Sequence, residues 1–476
     1  MANELNVIAF DCGNSSTRTI LCHFDGRKIE SELILQEENN ILEKDGYFFW
    51  EMDAVFDRMK RGLAEAARKT KIDSVGICTW GIDFWLTDDN GEFLGQSLCY
   101  RNDIGSEQET KQSAEEQKEM FYRTGILCDK INTIYMLRGM HEHFPDVIDA
   151  GKKILLVPDI LVYMLTGKMV NEPSELSTSG MADVRSMNID ARQCEYAGVS
   201  PDIFCEKAEH GKAIGNIRRE ILDELGIEYD IPVVCVPSHD TACAVMAIPS
   251  RENKYLFVSS GTWSLIGALC EKPIINEEVR LSSLTNEQGG FGWTTLLRNS
   301  GGMFIVQRLK KEYEAETGRK ISWAEFTAIA DEWRDEVVTF DVNEHRFFNP
   351  KVMVDEITQA IHPGEKNHNW AEILASTYIS LGDSFAQVLA NVQKCTGDEY
   401  NNVYIVGGGC KNIMICQRCA DKIGMPVVTC DMECSSVGNA VAQLPYFYPE
   451  FTYEKLREII ADSLDVKIYY PEKEEK

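Results

Sequence analysis

No stretch of this 476-residue sequence has the form G-x-x-x-x-G-K-[ST], so the phosphate loop of the P-loop enzymes is absent. No H-R-D with a downstream D-F-G occurs either, which excludes a protein kinase. Basic residues are scarce: 48 Lys and Arg stand against 76 Asp and Glu, a net charge of −28. Such an excess repels phosphate backbones and anionic lipid, so neither nucleic acid nor membrane is expected as a partner. It does not exclude a small anionic ligand, which a few local donors can hold. The longest apolar stretch, "ILLVPDILVYMLTG", contains Pro158 and Asp159 and is too short to span a bilayer. The opening "MANELNVIAFDCG" lacks a basic region followed by an apolar run, so no signal peptide is expected, and a cytoplasmic location is. The 16 cysteines show no zinc-ribbon spacing: Cys410, Cys416 and Cys419 run C-x5-C-x2-C, and Cys430 and Cys434 run C-x3-C. Reduced thiols buried as small apolar groups are expected instead.

What is present is an ordinary globular composition, 44% hydrophobic, in a chain too long for one core. Strand-like runs alternate with helix-like runs throughout, which predicts an α/β protein. Strands are expected at Val7–Phe10, Thr19–Phe24, Ser74–Thr79, Val233–Val236, Tyr255–Val258, Ser264–Leu269 and Asn402–Val406. Helices are expected at Met52–Lys69, Ser106–Arg123, Ile131–His143, Pro158–Leu165, Gly301–Thr317, Trp323–Glu332, Trp370–Cys395 and Asn412–Ile423. The polar segment "PSRENK" marks a boundary, giving domains 1–248 and 249–476, and the terminal "PEKEEK" is expected to be disordered. Each domain has a strand that runs into a glycine-and-hydroxyl turn and then a second strand: "VIAFDCGNSSTRTIL" and "VSSGTWSLIG". One such turn is conformationally ordinary; two suggest a duplicated device.

Four constellations have the composition of a site. In "DCGNSSTR", Gly13, Asn14, Ser15, Ser16 and Thr17 offer backbone and side-chain donors that suit a phosphate, with Arg18 adding positive charge. Asp11 would then suit a magnesium ion, or simply cap its own turn. As a group on a surface hairpin it is expected to contribute little to the core. In "VCVPSHDTACAVMA", a strand runs into Ser238, His239, Asp240 and Thr241 at the head of a helix. There Asp240 is either an ionised general base or the helix N-cap. In "VYIVGGGCKN", Gly407, Gly408 and Gly409 let a flat or anionic group approach the backbone. In "CTWGIDFWL", Trp80, Phe84 and Trp85 surround Gly81 and Asp83, the composition of a sugar pocket or of a core strand. Strand alternation puts Trp80 and Asp83 on opposite faces unless the chain turns at Gly81.

Taken in chain order, the motifs D-x-G-x-x-S-x-R, W-G-x-D-F, Y-R, H-D-T-A, S-S-G-T-W-S, N-x-x-G-x-x-x-x-Q-R, V-G-G-G-C-x-N and S-x-x-G-N resemble those of the FGGY carbohydrate kinases from Val7 to about Leu444. The likeness is greatest to the members that act on L-rhamnulose. It implies two actin-like (ribonuclease H-like) ATPase domains with the active site in the cleft between them. It further implies phosphorylation of a ketose such as L-rhamnulose, at its C1 hydroxyl, by ATP with Mg²⁺. By the same resemblance, Asp240 is the catalytic base and Asp11 holds Mg²⁺ through water. Asn14, Ser15, Ser16, Thr17 and Arg18 form the first ATP loop, with Thr262 on the second and Gln307, Gly408 and Gly409 also toward ATP. Gly81, Asp83, His239, Thr241 and Asn299 face the sugar. Departures occur at Asn14 and Thr17, and at Asn102 and Ile104 beside Tyr100-Arg101, so the sugar is less constrained than the reaction. The expected partners are a small sugar and ATP, in a monomer or homodimer. The alternatives are a kinase for L-fuculose or another ketose, a catalytically silent sugar sensor, and a metal- or thiol-dependent protein built on the cysteine cluster. Sugar-dependent ADP release separates the sensor; bound-metal analysis separates the last.

Overall fold

The computed structural model describes residues 4–333, 335–348, 350–430 and 434–472. The chain forms two compact units. The first comprises residues 1–253, 270–296 and 433–463; the second comprises 254–269, 297–432 and 464–476. The first break thus falls at the end of the "PSRENK" segment, but the later chain is shared between the units. The reason is burial: the helix Cys434–Phe447 buries Val437, Ala440, Val441 and Leu444, and its inward polar groups bind strands near the N-terminus.

The first unit is built on strands β1 (Leu5–Cys12), β2 (Ser16–Phe24), β3 (Ile29–Glu38), β4 (Ser74–Thr79), β5 (Ala213–Asn216) and β6 (Pro232–Val234), ordered β5-β6-β4-β1-β2-β3. β1 pairs antiparallel with β2 and parallel with β4, and β4 pairs parallel with β6. Val7, Ile8, Ala9 and Phe10 of β1 are fully buried. A central strand covered on both faces should have such a continuous apolar run. The helix Met52–Lys69 lies on the expected residues and buries Val55, Met59, Leu63 and Ala66 at helical spacing against this sheet's core.

The second unit repeats the plan. Six strands of its seven-stranded sheet are β7 (Leu256–Ser260), β8 (Trp263–Cys270), β9 (Thr294–Gly301), β10 (Val403–Val406), β11 (Val427–Cys430) and β12 (Val466–Tyr469), in the order β9-β8-β7-β10-β11-β12. β7 and β8 form the antiparallel hairpin, β7, β10 and β11 run parallel, and β12 closes the edge antiparallel. Strand for strand this matches β3-β2-β1-β4-β6-β5. The duplication suggested by two similar turns therefore extends through both sheets.

Some elements differ from expectation. The helix expected over Ser106–Arg123 is two, Ile104–Glu109 and Ala114–Thr124, because Ser113 and Glu116 make a capping box that starts a new helix. Gly301 ends β9 rather than opening a helix, which begins at Met303. No cysteine is in a disulfide, and all but Cys128 and Cys205 are buried. Of "PEKEEK", only Pro471 and Glu472 are among the described residues; the disorder expected at 473–476 lies outside them. No described helix is long and apolar enough to cross a membrane.

Candidate functional site

The register of the first hairpin places Asp11 opposite Arg18 and Cys12 opposite Thr17, leaving Gly13, Asn14 and Ser15 at the turn. Asp11 is not a surface residue: it is 1% exposed. Its Oδ2 accepts from Arg18 Nη2 at 2.8 Å, from Ser435 Oγ at 2.5 Å and from Ser436 Oγ at 3.1 Å. The expectation that Asp11 matters little to the core is therefore corrected. Arg18, expected to face a phosphate, instead neutralises this carboxylate. Thr17 is also redirected, being fully buried with its hydroxyl donating to Asn39 Oδ1 at 2.7 Å. Asn39 donates in turn to the Gly13 carbonyl, so the turn is braced by the residue that follows β3. Ser15 stays exposed and Asn14 and Ser16 half-buried, with Asn14 donating to the Tyr100 hydroxyl.

The S-x-x-G-N motif lies on Cys434–Phe447 and explains how Asp11 is held. Ser435, Ser436, Asn439 and Gln443 project from one face at helical spacing. They reach Asp11, the Phe10 carbonyl and the Ile8 carbonyl in turn. One polar stripe thus satisfies β1 along its length.

Two strands away, the segment after β6 continues the parallel layer. Thr79, the last residue of β4, bridges His239. Asp11 and His239-Asp240 therefore lie at the carboxyl ends of the two parallel segments that flank β4, where α/β sheets hold their ligands. The helix Asp240–Met246 begins at Asp240 itself, its N-cap position is His239, and no side chain caps it. The N-cap reading of Asp240 is thereby overturned. Its side chain is 37% exposed, its Oδ1 accepts from the Thr241 hydroxyl, and His239 Nε2 stands 3.6 Å away. Burial raises the Asp240 carboxyl above the usual range, and the Asp11 charge pushes the same way, while His239 opposes them. The helix terminus does not hold it low, as the sequence had suggested.

His239 is fixed by neighbours that the sequence did not single out. Its backbone N–H donates to Ser174 Oγ, and its Nδ1 lies 3.2 Å from Glu287 Oε2. Ser174 belongs to the short helix Pro173–Thr178, capped by Glu172, which also binds His210 Nε2 at 2.5 Å. Buried Glu175 follows on that helix; burial, then the charges of Glu172, Asp159, Asp240 and Glu287, push its carboxyl well up. Thr178 of the helix holds the Ile82 amide. A side chain at Gly81 would lie 3.3 Å from His239 Nε2 and 3.4 Å from Thr178, so Gly81 leaves that edge of the imidazole open.

The chain does turn after Gly81, with Ile82 at a φ of 74°. The turn brings Trp80 and Asp83 together: the Trp80 and Trp50 indoles both donate to Asp83 Oδ2, at 3.0 and 2.6 Å. Asp83 is 2% exposed and fully engaged, so the sugar contact expected of it is not what it makes here. Burial pushes its carboxyl up to about 7 despite both indole donors. Trp80 and Phe84 sit in different cores, and Trp85 stacks on Phe93. The aromatics are packing residues rather than one apolar wall.

In the second unit, Gly261 and Thr262 form the hairpin turn between β7 and β8. Their carbonyls accept from the first two amides of the helix Met303–Thr317. Gly407 has a φ of 82°, and a side chain there would meet the Ser260 carbonyl at 2.8 Å. Gly409 packs against Ser260 in the same way and is buried, so of the two adenosine positions only Gly408 is exposed. The close approach expected of the glycines is, for two of the three, to the protein's own strand. Asn299 is exposed on β9 and Gln307 half-buried on the following helix.

Thus Asp11, Asn14, Gly81, His239, Asp240 and Thr241 belong to the first unit, and Thr262, Asn299, Gln307 and Gly408 to the second. The sequence reading missed Glu172, Ser174, Glu287 and Ser435. Only the last lay inside a quoted motif; the others act through pairing between distant segments, which leaves no local pattern.

Comparison with known proteins divides the chain once, between residues 247 and 256. Residues 6–247 match the N-terminal domain, and 256–445 the C-terminal domain, of the FGGY family of carbohydrate kinases. A rhamnulokinase of Halalkalibacterium halodurans is 31% identical over 97% of this chain and 98% of its own. Those of Oceanobacillus iheyensis and Bacteroides thetaiotaomicron are each 30% identical, covering 97% and 98% of this chain and 97% and 96% of their own. Among solved structures, a gluconate kinase from Lactobacillus acidophilus superposes with a TM-score of 0.79 at 15% identity over 99% of this chain and 94% of its own. A Plasmodium falciparum glycerol kinase with ADP gives 0.78 at 13% over 98% and 94%. These likenesses show the actin-like two-domain fold.

Proposed function

This chain belongs to the FGGY family of carbohydrate kinases, and from that premise we propose that it transfers the terminal phosphoryl group of ATP to the C1 hydroxyl of a ketose, L-rhamnulose first among them. The observation that carries the chemistry is Asp240: reachable, relieved of capping duty, and made more basic by burial. In this reading its carboxylate takes the hydroxyl proton as the oxygen attacks phosphorus. Thr241 and His239 flank it and orient the alcohol. Positioning and electrostatics supply most of the acceleration in phosphoryl transfer.

The donor set suits a magnesium ion held through water. Arg18, Ser435 and Ser436 all engage Asp11 Oδ2, leaving Oδ1 for a water of the ion's shell. When bound, the ion would neutralise charge on the transferring phosphates. The exposed donors of Ser15 and the half-buried Asn14 and Ser16 are the candidates for phosphate contact on the first turn, with Thr262 and Gly408 in the second unit. Asn299 is kept as a sugar contact and Gln307 as a nucleotide contact from the resemblance alone.

The choice of sugar rests on the rhamnulokinase relatives. The test is ADP release with L-rhamnulose, L-fuculose, L- and D-xylulose, D-fructose and glycerol under one set of conditions. L-Rhamnulose is expected to give the highest kcat/KM. A lead for L-fuculose or a pentulose would replace the sugar and keep the kinase; no sugar-dependent ADP release would remove both.

A further inference from the structure

We propose that Glu287 is a positioning residue of this site: it grips the His239 imidazolium by Nδ1, so that Nε2–H is presented to a substrate oxygen beside the Asp240 carboxylate. The inference rests on Asp240 being the base, as proposed above, for its catalytic half; the hold on His239 stands on geometry alone.

The segment carrying Glu287 is locked on either side. Asn286 is fully buried and donates to the Gly125 carbonyl, while the Gln288 amide donates to Ser177 Oγ at 2.9 Å. In the strand Thr285–Gln288 these neighbours point to one face, which sends Glu287 to the other. There its Oε2 lies 3.2 Å from His239 Nδ1. Glu175, buried on the neighbouring helix, makes no hydrogen bond to the ring, and its carboxyl is pushed well up; the other two acids that act on His239 are engaged elsewhere. Glu172 already accepts from the Ser174 and Glu175 amides, the Ser174 hydroxyl and His210. Asp240 faces the opposite nitrogen, Nε2, at 3.6 Å. The imidazole is thus strung between two carboxylates, one nitrogen to each.

The groups facing His239 are therefore Glu287 from its strand, Asp240 from the following helix, and Glu172 at the cap of Pro173–Thr178. Burial lowers the tendency of the ring to hold a proton, but Glu287 first, and then Asp240 and Glu172, outweigh it and carry the ring up to about 9. The ring is then charged at neutral pH and both nitrogens are donors. Nδ1–H is spent on Glu287. Nε2–H faces Asp240 across the edge that Gly81 leaves open, where a sugar oxygen can enter. The same charge opposes the upward shift that burial gives the Asp240 carboxyl. Glu287 touches neither the substrate nor the reacting atoms in this arrangement, and acts through the ring.

The sign of the pH effect follows. A protonated His239 is required, so kcat/KM falls as pH rises through the His239 value. Glu287→Gln removes the largest favourable charge, so that alkaline limb moves down by about one pH unit or more, a tenfold change in proton affinity. At the acid limb the ring of the variant is still charged, so Asp240 keeps its nearest positive charge and that limb stays in place. The bell narrows from its alkaline side. At about pH 9 the sugar KM is expected to rise about fivefold, with the KM for ATP unchanged. Glu287→Asp should recover part of the loss.

The experiment measures pH profiles of kcat/KM for the wild type, Glu287→Gln and Glu287→Asp, with thermal melts. In parallel, the His239 Cε1–H resonance is titrated in histidine-labelled protein and assigned by its loss in His239→Gln. The resonance does not depend on which sugar is used, or on whether any is phosphorylated. Expected is a wild-type titration near pH 9 that moves down in Glu287→Gln. If the resonance titrates unchanged in the variant, Glu287 does not hold His239 and the proposal is overturned, whatever the activity. If the resonance moves but the profile and sugar KM do not, the catalytic half falls and the reading of Asp240 is what failed. If Glu287→Gln does not fold, the Glu287→Asp titration decides, since a shorter acid must move the resonance.

Discussion

A carboxylate that takes a proton from an alcohol must be reachable, ionised and basic, and at Asp240 these demands pull against one another. Burial makes the group more basic but less ionised, and His239 opposes that shift without cancelling it. Asp240→Asn keeps the shape and removes the basicity, so kcat should fall about 100- to 10,000-fold while binding of sugar and ATP persists. Single-turnover kinetics with equilibrium titration checks this; wild-type turnover would leave Asp240 a bystander. Asp83 offers a different test. Its carboxyl is raised to about 7, so the folded chain keeps a proton that the unfolded chain loses near pH 4. The stabilisation is full below pH 4 and disappears as pH rises through 7. Asp83→Asn should therefore flatten the fall in Tm between pH 4 and 7 relative to wild type, measured at constant ionic strength. Identical slopes would mean that burial does not raise the Asp83 carboxyl in the folded chain.

At the scale of elements, two packing contacts carry the site. The helix Cys434–Phe447 secures Asp11 through Ser435 and Ser436. Because the buried Asp11 accepts from Arg18, Ser435 and Ser436, Asp11→Ala removes all three hydrogen bonds at once, and a loss of about 3 kcal/mol is expected in denaturant melts. The glycine turn after β10 is the second contact. Gly407→Ala forces a side chain onto the Ser260 carbonyl at a φ of 82°. The cost should be about 1–3 kcal/mol of stability, with a raised KM for ATP because Gly408 shifts with the turn. If the variant melts and binds ATP as wild type does, the turn has room that the structure does not show.

At the scale of the whole molecule, the repeated sheet order gives each unit the same strand-end geometry for its hairpin turn. The first unit is discontinuous, drawing on residues 270–296 and 433–463. A fragment ending at Asn253 would therefore lack Ser435, Ser436 and the helix that covers β1, as well as Glu287. It should be expressed as a molten or insoluble chain, and circular dichroism with dye binding would detect this. A cooperative melt in that fragment would show that the later segments are dispensable to its core.

The sequence by itself determined the class of fold, most of the major helices and strands, the two hairpin turns and the corner His239-Asp240-Thr241. These are set by local periodicity and by residues whose backbone preferences act over a few positions, as in the helix Met52–Lys69. It also suggested the duplication, though not its extent. Only the tertiary structure decided where the donors and carboxylates of each unit are spent. Arg18 and Asp11 occur together in one motif, yet nothing in that motif shows them neutralising each other. Asp83 and Trp80 fell on opposite faces by alternation until a turn at Ile82 joined them. Glu287 reaches His239 across 48 positions of chain, counted from 239 to 287. Burial and charge pairing act through space, so a linear pattern can say which residues could carry chemistry but not which of them are left free to do it.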